Sequence, residues 1–210
     1  DQFQKKCMRG REPDFIRWRL EDQARRHEKY GSTVFMQEPH IKEGCGGLRD
    51  YHNLLWIAYA WKRLSNTRRL VEEGIMTGTE RDQVERAVDF LMRARNEMHF
   101  LAERANDQLT LPTQGRIATG LGYDQRPPFR RVEAFMTDYF TATQDIFFLT
   151  NACARRMAQT GVAKRRAWFP FLPGSGGKAE KTDGFVISGG EINAENQAVF
   201  GEDPARILRV

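Results

Sequence analysis

Apolar residues recur along most of the chain at three- and four-residue intervals, the spacing that gathers them on one face of an α-helix. From Glu12 to Tyr30 the apolar positions Phe15, Ile16, Trp18 and Leu20 crowd the first half. Pro13 sits near the start, where its missing N–H is harmless, and Gly31 ends the run. A short extended stretch, Thr33 to Met36, then leads into a loop from Gln37 to Gly47. Leu48 to Leu64 returns to helical spacing with Leu48, Tyr51, Leu54, Leu55, Ala58 and Trp61, and a shorter amphipathic piece, Thr67 to Glu73, stops at Gly74. A longer helix is predicted from Thr79, capped by a Thr79/Asp82 variant of the capping box. Val84, Val88, Leu91, Met98 and Leu101 mark its inner face to about Ala105. Pro112 to Leu121 reads as a short helix ended by Gly122. Pro127 and Pro128 precede a long one, from about Phe129 to Gln159, carrying Val132, Phe135, Met136, Tyr139, Phe140, Ile146, Phe147 and Leu149. The fold class expected is all-α, a helical bundle over residues 1–160.

The pattern changes after Gly161. Residues 161–183 hold Lys164-Arg165-Arg166, a cluster from Trp168 to Pro173, and Gly174-Ser175-Gly176-Gly177-Lys178, and read as a linker whose aromatic part docks on a neighbour. Phe185 to Ile192 has two β-prone runs around Gly189-Gly190, the signature of a small hairpin. Residues 184–210 are thus expected to hold this hairpin and the start of a truncated following domain. The chain opens on Asp1 rather than Met, and closes shortly after Asp203-Pro204, a helix-start pair with only about two turns behind it. Both ends read as cuts in a longer protein.

Composition narrows the classes. Of 210 residues, 40% are apolar and 29% charged, with a formal net charge of +5. That balance suits a helical domain with solvated charged faces. A dedicated nucleic-acid binder would carry a denser basic block, so no nucleic-acid partner is expected. No apolar run approaches the roughly 18 residues of a membrane span, and no signal peptide is visible. Cysteines 7, 45 and 153 are odd in number and widely spaced, which suggests neither a disulfide framework nor a zinc knuckle and fits a reducing cytoplasm.

The stretch richest in chemistry runs Glu38-Pro39-His40-Ile41-Lys42-Glu43-Gly44-Cys45-Gly46-Gly47-Leu48-Arg49-Asp50. Gly44, Gly46 and Gly47 permit positive φ and close approach of another chain or a ligand. The loop enters a helix directly, so free N–H groups and the positive end of the macrodipole are expected to face it. Lys42 and Arg49 add positive charge on either side. Such a loop suits a phosphate or the carboxylates of an adjoining domain; the alternative is a tight structural turn with Arg49 and Asp50 packed on a neighbour. It is not a Walker loop, because no Gly-Lys-[Ser/Thr] follows, and Gly174 to Lys178 fails the same test.

This stretch resembles the Glu-Pro-Asn-Ile-Lys-Glu-Gly-Pro-Gly-Gly-Leu-Arg-Asp signature of bifunctional PII uridylyltransferase/uridylyl-removing enzymes. The resemblance continues through Phe90 to His99, Asp107-Gln108-Leu109, Gln114, Ile117-Ala118 and Leu121-Gly122-Tyr123, and reaches Phe200-Gly201-Glu202-Asp203-Pro204. His40 and Cys45 stand where that family usually has Asn and Pro. Adenylyltransferases that modify glutamine synthetase have a similar loop ending Ile-Arg-Glu; Glu43 after Lys42, and Asp50, favour the uridylyltransferase side.

The resemblance implies the central helical domain of an enzyme that moves UMP from UTP to a nitrogen-regulatory PII protein. In such enzymes a nucleotidyltransferase domain precedes this region and holds Mg²⁺ and the triphosphate, and a phosphohydrolase domain follows. Two-metal transfer needs carboxylates that hold ions about 4 Å apart. No two Asp here lie two residues apart and no His-Asp pair occurs, so the segment alone is expected to be inactive, with no catalytic or metal-binding residue. The candidate site is supportive: Glu38, Lys42, Gly44, Gly46, Gly47, Arg49, Asp50, Arg95 and His99. Lys42 and Arg49 would neutralise phosphate or a catalytic carboxylate, Asp50 would orient Arg49, and Glu38 would fix the loop by accepting backbone N–H groups. Arg95 and His99, four apart on one helical face, would line the same cleft or form a polar link between helices. His27, His40 and His52 are expected in packing rather than metal roles. The competing view is a non-catalytic scaffold that spaces the transferase and hydrolase domains and transmits signals between them.

Overall fold

The computed structural model describes residues 10–124, 127–159, 180–182, 185–188 and 191–194. The chain divides into two compact units, residues 1–160 and 161–210. The first contains six helices among its described residues: α1 Glu12–Lys29, α2 Leu48–Lys62, α3 Thr67–Glu72, α4 Gly78–Ala102, α5 Leu111–Gly120 and α6 Pro128–Gln159. The helical bundle expected from the spacing of apolar residues is what forms.

The longest helix, α6, is the axis on which α2, α4 and α5 pack, while α1 lies on α2. Its Phe135, Tyr139, Ile146, Cys153 and Met157 are all buried, at helical spacing. The helices packed on α6 bury Leu54, Ile57 and Ala58 of α2, Leu91, Ala94 and Met98 of α4, and Ile117 of α5. Each large side chain so buried contributes about 1.5–3 kcal/mol. Cys153 belongs to this packing: burial pushes its thiol up to about 12. It and Cys45 are both free and buried.

Helix ends show where local signals and long-range contacts meet. The α4 cap is not Thr79/Asp82 but Thr77/Glu80, two residues earlier. The Thr77 hydroxyl accepts the Glu80 N–H at 3.1 Å, and the Glu80 carboxylate accepts the Thr77 N–H at 2.8 Å. Thr77-x-x-Glu80 is the capping box itself, whereas Thr79-x-x-Asp82 is only a variant of it, and Arg156 of α6 adds a long-range tie to Glu80. Its guanidinium donates two 2.7 Å bonds to Glu80 and a third bond to the Ile75 carbonyl at 3.0 Å. The far end of α4 closes at Ala102, short of Ala105, because Glu103 turns left-handed at φ 52°.

Thr33 to Met36 forms no strand. The segment bends, with the Phe35 N–H on the Thr33 hydroxyl at 3.2 Å, and extended pairing comes later, as an isolated antiparallel bridge between His40 and Gln108.

In the second unit β1 Glu180–Thr182, β2 Phe185–Ser188 and β3 Glu191–Ala194 form an antiparallel sheet in the order β1-β2-β3. Strands β2 and β3 pair Ile187 with Ile192 and Ser188 with Glu191, the hairpin read around Gly189-Gly190. Strand β1 extends the sheet into residues read as linker, pairing Lys181 with Val186. Cys7, Lys164 to Arg166, Trp168 to Pro173, Gly174 to Lys178 and Phe200 to Pro204 lie outside the described residues. Among the described residues, no helix is long and apolar enough to cross a membrane.

Candidate functional site

The glycine loop is built into the bundle. Gly44, Gly46 and Gly47 are all buried. Gly46 has φ +69°, and a Cβ there would lie 1.9 Å from the Thr143 carbonyl oxygen of α6. A Cβ on Gly47 would meet the carbonyl oxygens of Lys42, Ile41 and Gly44 at 2.8–2.9 Å. Those close approaches, rather than a ligand, account for the glycines. The start of α2 is closed in the same way: Leu48 N–H donates to Ile41 O at 3.2 Å, Arg49 N–H to Lys42 O at 2.9 Å, and Asp50 N–H to Gly47 O at 2.9 Å. The free amide groups expected at this helix start are therefore occupied by the loop's own carbonyls. An anion reaching the loop meets side chains, not a backbone cradle.

Asp50 locks the loop from behind. Its side chain is fully buried and accepts Arg26 Nη2 at 2.8 Å, His27 Nε2 at 2.9 Å and the Gly46 N–H at 2.8 Å. Asp50 does not orient Arg49 as expected. Consecutive helical residues point about 100° apart, so Asp50 faces α1 while Arg49 faces outward. Burial alone would lower the His27 pKa, but the hydrogen bond and charge of Asp50, helped by Cys45, outweigh it and raise it to about 9. His27 is thus charged at neutral pH, and a fully buried carboxylate is matched by two cations.

The outward side is built on Glu43. Arg49 Nη2 donates to its carboxylate at 3.1 Å, while Lys42 Nζ and Arg26 Nε each lie 3.7 Å away. Burial would raise the Glu43 pKa; the Arg49 hydrogen bond and the charges of Arg49, Arg26 and Lys42 lower it instead. Lys42 and Arg49 keep 36% and 29% of their side-chain surface exposed, against 0% for Asp50. The Arg49 guanidinium also lies 5.7 Å from the Trp56 ring centre.

Glu38, Arg95 and His99 belong to the loop's other edge. Glu38 accepts the Leu111 N–H at 2.7 Å, a backbone bond of the kind expected of it, and so ties the loop to the start of α5. Arg95 Nε donates to Asp107 at 2.6 Å and His99 Nε2 lies 3.2 Å from the same carboxylate. The Asp107 carbonyl accepts the Ile41 N–H at 2.9 Å, so the α4 pair reaches the loop through Asp107. Burial would raise the Asp107 pKa, and the bonds from Arg95 and His99 lower it. This is a polar link between α4 and the segment before α5. Among the described residues no three His, Cys, Asp or Glu side chains are placed to hold a metal ion.

Sequence reasoning gave no role to Arg26, Glu43 or Asp107 and treated His27 only as packing. A signal existed for Arg26: a long cation buried on an amphipathic helix requires an anion, and Arg26 sits ten residues after Ile16 on the inner side of α1. Its partner, 24 residues downstream, had no local mark.

The family model described as GlnD PII-uridylyltransferase matches residues 14–153. A curated protein of Erythrobacter litoralis (strain HTCC2594), named bifunctional uridylyltransferase/uridylyl-removing enzyme, is 33% identical over 208 residues. The match covers 99% of this chain and 22% of that protein, so the chain spans about a fifth of the relative's length. No solved structure matches.

Proposed function

Because the chain belongs to the GlnD PII-uridylyltransferase family, we propose that it is the helical domain that supports the nucleotide site of an enzyme moving UMP from UTP to a PII protein. The observation that carries this reading is the two-sided loop: two partly exposed cations, Lys42 and Arg49, share the single carboxylate of Glu43 on a backbone anchored by Asp50. Phosphoryl-type transfer needs positioning and charge neutralisation more than covalent help. A partly exposed pair such as Arg49–Glu43 contributes only about 0–1 kcal/mol. A triphosphate, with more charge than one carboxylate, can take both cations from Glu43 at little cost. The catalytic carboxylates and Mg²⁺ belong in this reading to a transferase domain outside the chain. A phosphohydrolase domain follows, and the whole enzyme is cytoplasmic.

Calorimetry of the chain with UTP and Mg²⁺ tests the reading. Binding is expected, weakened by about tenfold or more in Lys42→Ala and in Arg49→Ala, each cation contributing on the order of 1.5–3 kcal/mol through charged hydrogen bonds. Binding that survives both substitutions undiminished rejects it.

A second reading, an interdomain scaffold, is favoured by the self-satisfied α2 start and by the Arg95–His99–Asp107 link. It expects no UTP binding, with Arg49→Ala in the complete enzyme altering communication between its domains rather than turnover.

A further inference from the structure

Next to the cationic loop, α1 and α2 place two indoles around a buried guanidinium. Arg19 of α1 is 7% exposed, and its guanidinium carbon lies 4.4 Å from the Trp56 ring centre and 5.3 Å from that of Trp18. Its Nε donates to Asn53 at 2.7 Å and its Nη1 lies 3.3 Å from Asp22, while Nη2 is buried without a hydrogen-bond partner. Aromatic faces therefore hold one side of this cation. Trp18 is nevertheless 51% exposed and Trp56 38%, an arrangement that leaves large apolar surface in water beside positive charge. His52 stacks on Trp56 with rings 6.0 Å apart and 25° between planes. Burial, then the charges of Arg49, Lys42 and Arg95, lower the His52 pKa.

We infer that this column is the base-stacking end of a nucleotide face whose phosphate end is Lys42 and Arg49. The inference rests on the proposed nucleotide role of the loop and adds to it the part of the ligand that is read. The chemistry selects the class: an anion alone has no use for two exposed indoles, and an apolar partner has none for the cations beside them. A flat base stacked on indole with phosphates on Arg and Lys uses both. Two loop cations suit one polyphosphate chain, whereas a nucleic-acid strand needs a longer basic track. Trp18 supplies the stacking surface, and Arg19 with Trp56 stiffens it from below.

The experiment titrates the 210-residue chain with tripolyphosphate, UTP and uridine, following calorimetric heat and tryptophan fluorescence. Tripolyphosphate reports the phosphate end alone. UTP is expected to bind about tenfold more tightly than tripolyphosphate. Trp18→Ala should remove that advantage and leave tripolyphosphate affinity unchanged, and Trp18→Phe should keep most of it. Trp18 is on the surface, and an unchanged helical circular dichroism spectrum checks that the variants fold. Equal binding of UTP and tripolyphosphate, insensitive to Trp18, overturns the stacking end while the loop reading stands. Binding of neither overturns both. Single-stranded RNA binding more tightly than UTP, with a steep salt dependence, overturns the inference in favour of a nucleic-acid surface.

Discussion

Asp50 and Glu43 lie seven residues apart and both pair with Arg26, yet they do opposite work. Asp50 has no exposed side-chain surface, and its acceptor sites are filled by Arg26, His27 and the Gly46 amide. Glu43 keeps 18% of its side chain exposed and holds Lys42 and Arg49 loosely at the rim. A buried pair is costly to break because the partner left behind stays desolvated, whereas a rim pair exchanges with water or a competing anion at small cost. One loop thus has a fixed inner side and an exchangeable outer side, and the division falls between the adjacent residues Arg49 and Asp50.

The largest effect should come from the inner side. Asp50→Ala leaves Arg26 and His27 buried without their carboxylate, and should destabilise the chain by about 3–5 kcal/mol in urea unfolding. Next is pH. The folded-state pKa of His27, about 9, is raised above its ordinary value, so its contribution is complete below about 6.5 and is lost as pH rises through about 9. The loss is about 3 kcal/mol at most. Urea midpoints at pH 6 and 9.5 should show it, and His27→Gln should flatten the difference. Gly46→Ala, which aims a methyl at the Thr143 carbonyl from a left-handed backbone, should cost at least about 2 kcal/mol by the same assay. The smallest effect belongs outside: Glu43→Gln should change stability by about 1 kcal/mol or less. It should also raise UTP affinity by freeing Lys42 and Arg49, a gain that calorimetry reads directly. If Glu43→Gln unfolds the chain as Asp50→Ala does, the two sides are not distinct.

How far the sequence foretold this depends on where each partner lies. The spacing of Leu48, Leu54, Ala58 and Trp61 placed α2 to within two residues, because a helix face is a local property. The α4 cap was misplaced although its signal was local: Thr77-x-x-Glu80 fits the capping box that Thr79-x-x-Asp82 only approximates. Arg49 and Asp50 look like a pair in sequence but diverge on the helix, and their true partners are Glu43 and Arg26. The loop itself was legible as a site because its residue types are unusual together. That Gly46 serves the Thr143 carbonyl nearly a hundred residues away was not. Glu38 accepts a backbone N–H as expected, but that the donor is Leu111, 73 residues away, is a contact only the folded chain creates.

The central claim, that the outer side can be removed without disturbing the inner one, is tested most directly by Arg49→Ala, measured for both urea unfolding and UTP binding with Mg²⁺. The expected result is stability within about 1 kcal/mol of the parent chain and a UTP affinity at least about tenfold weaker. Unchanged UTP affinity in a folded Arg49→Ala chain would contradict the claim and leave the loop a structural joint.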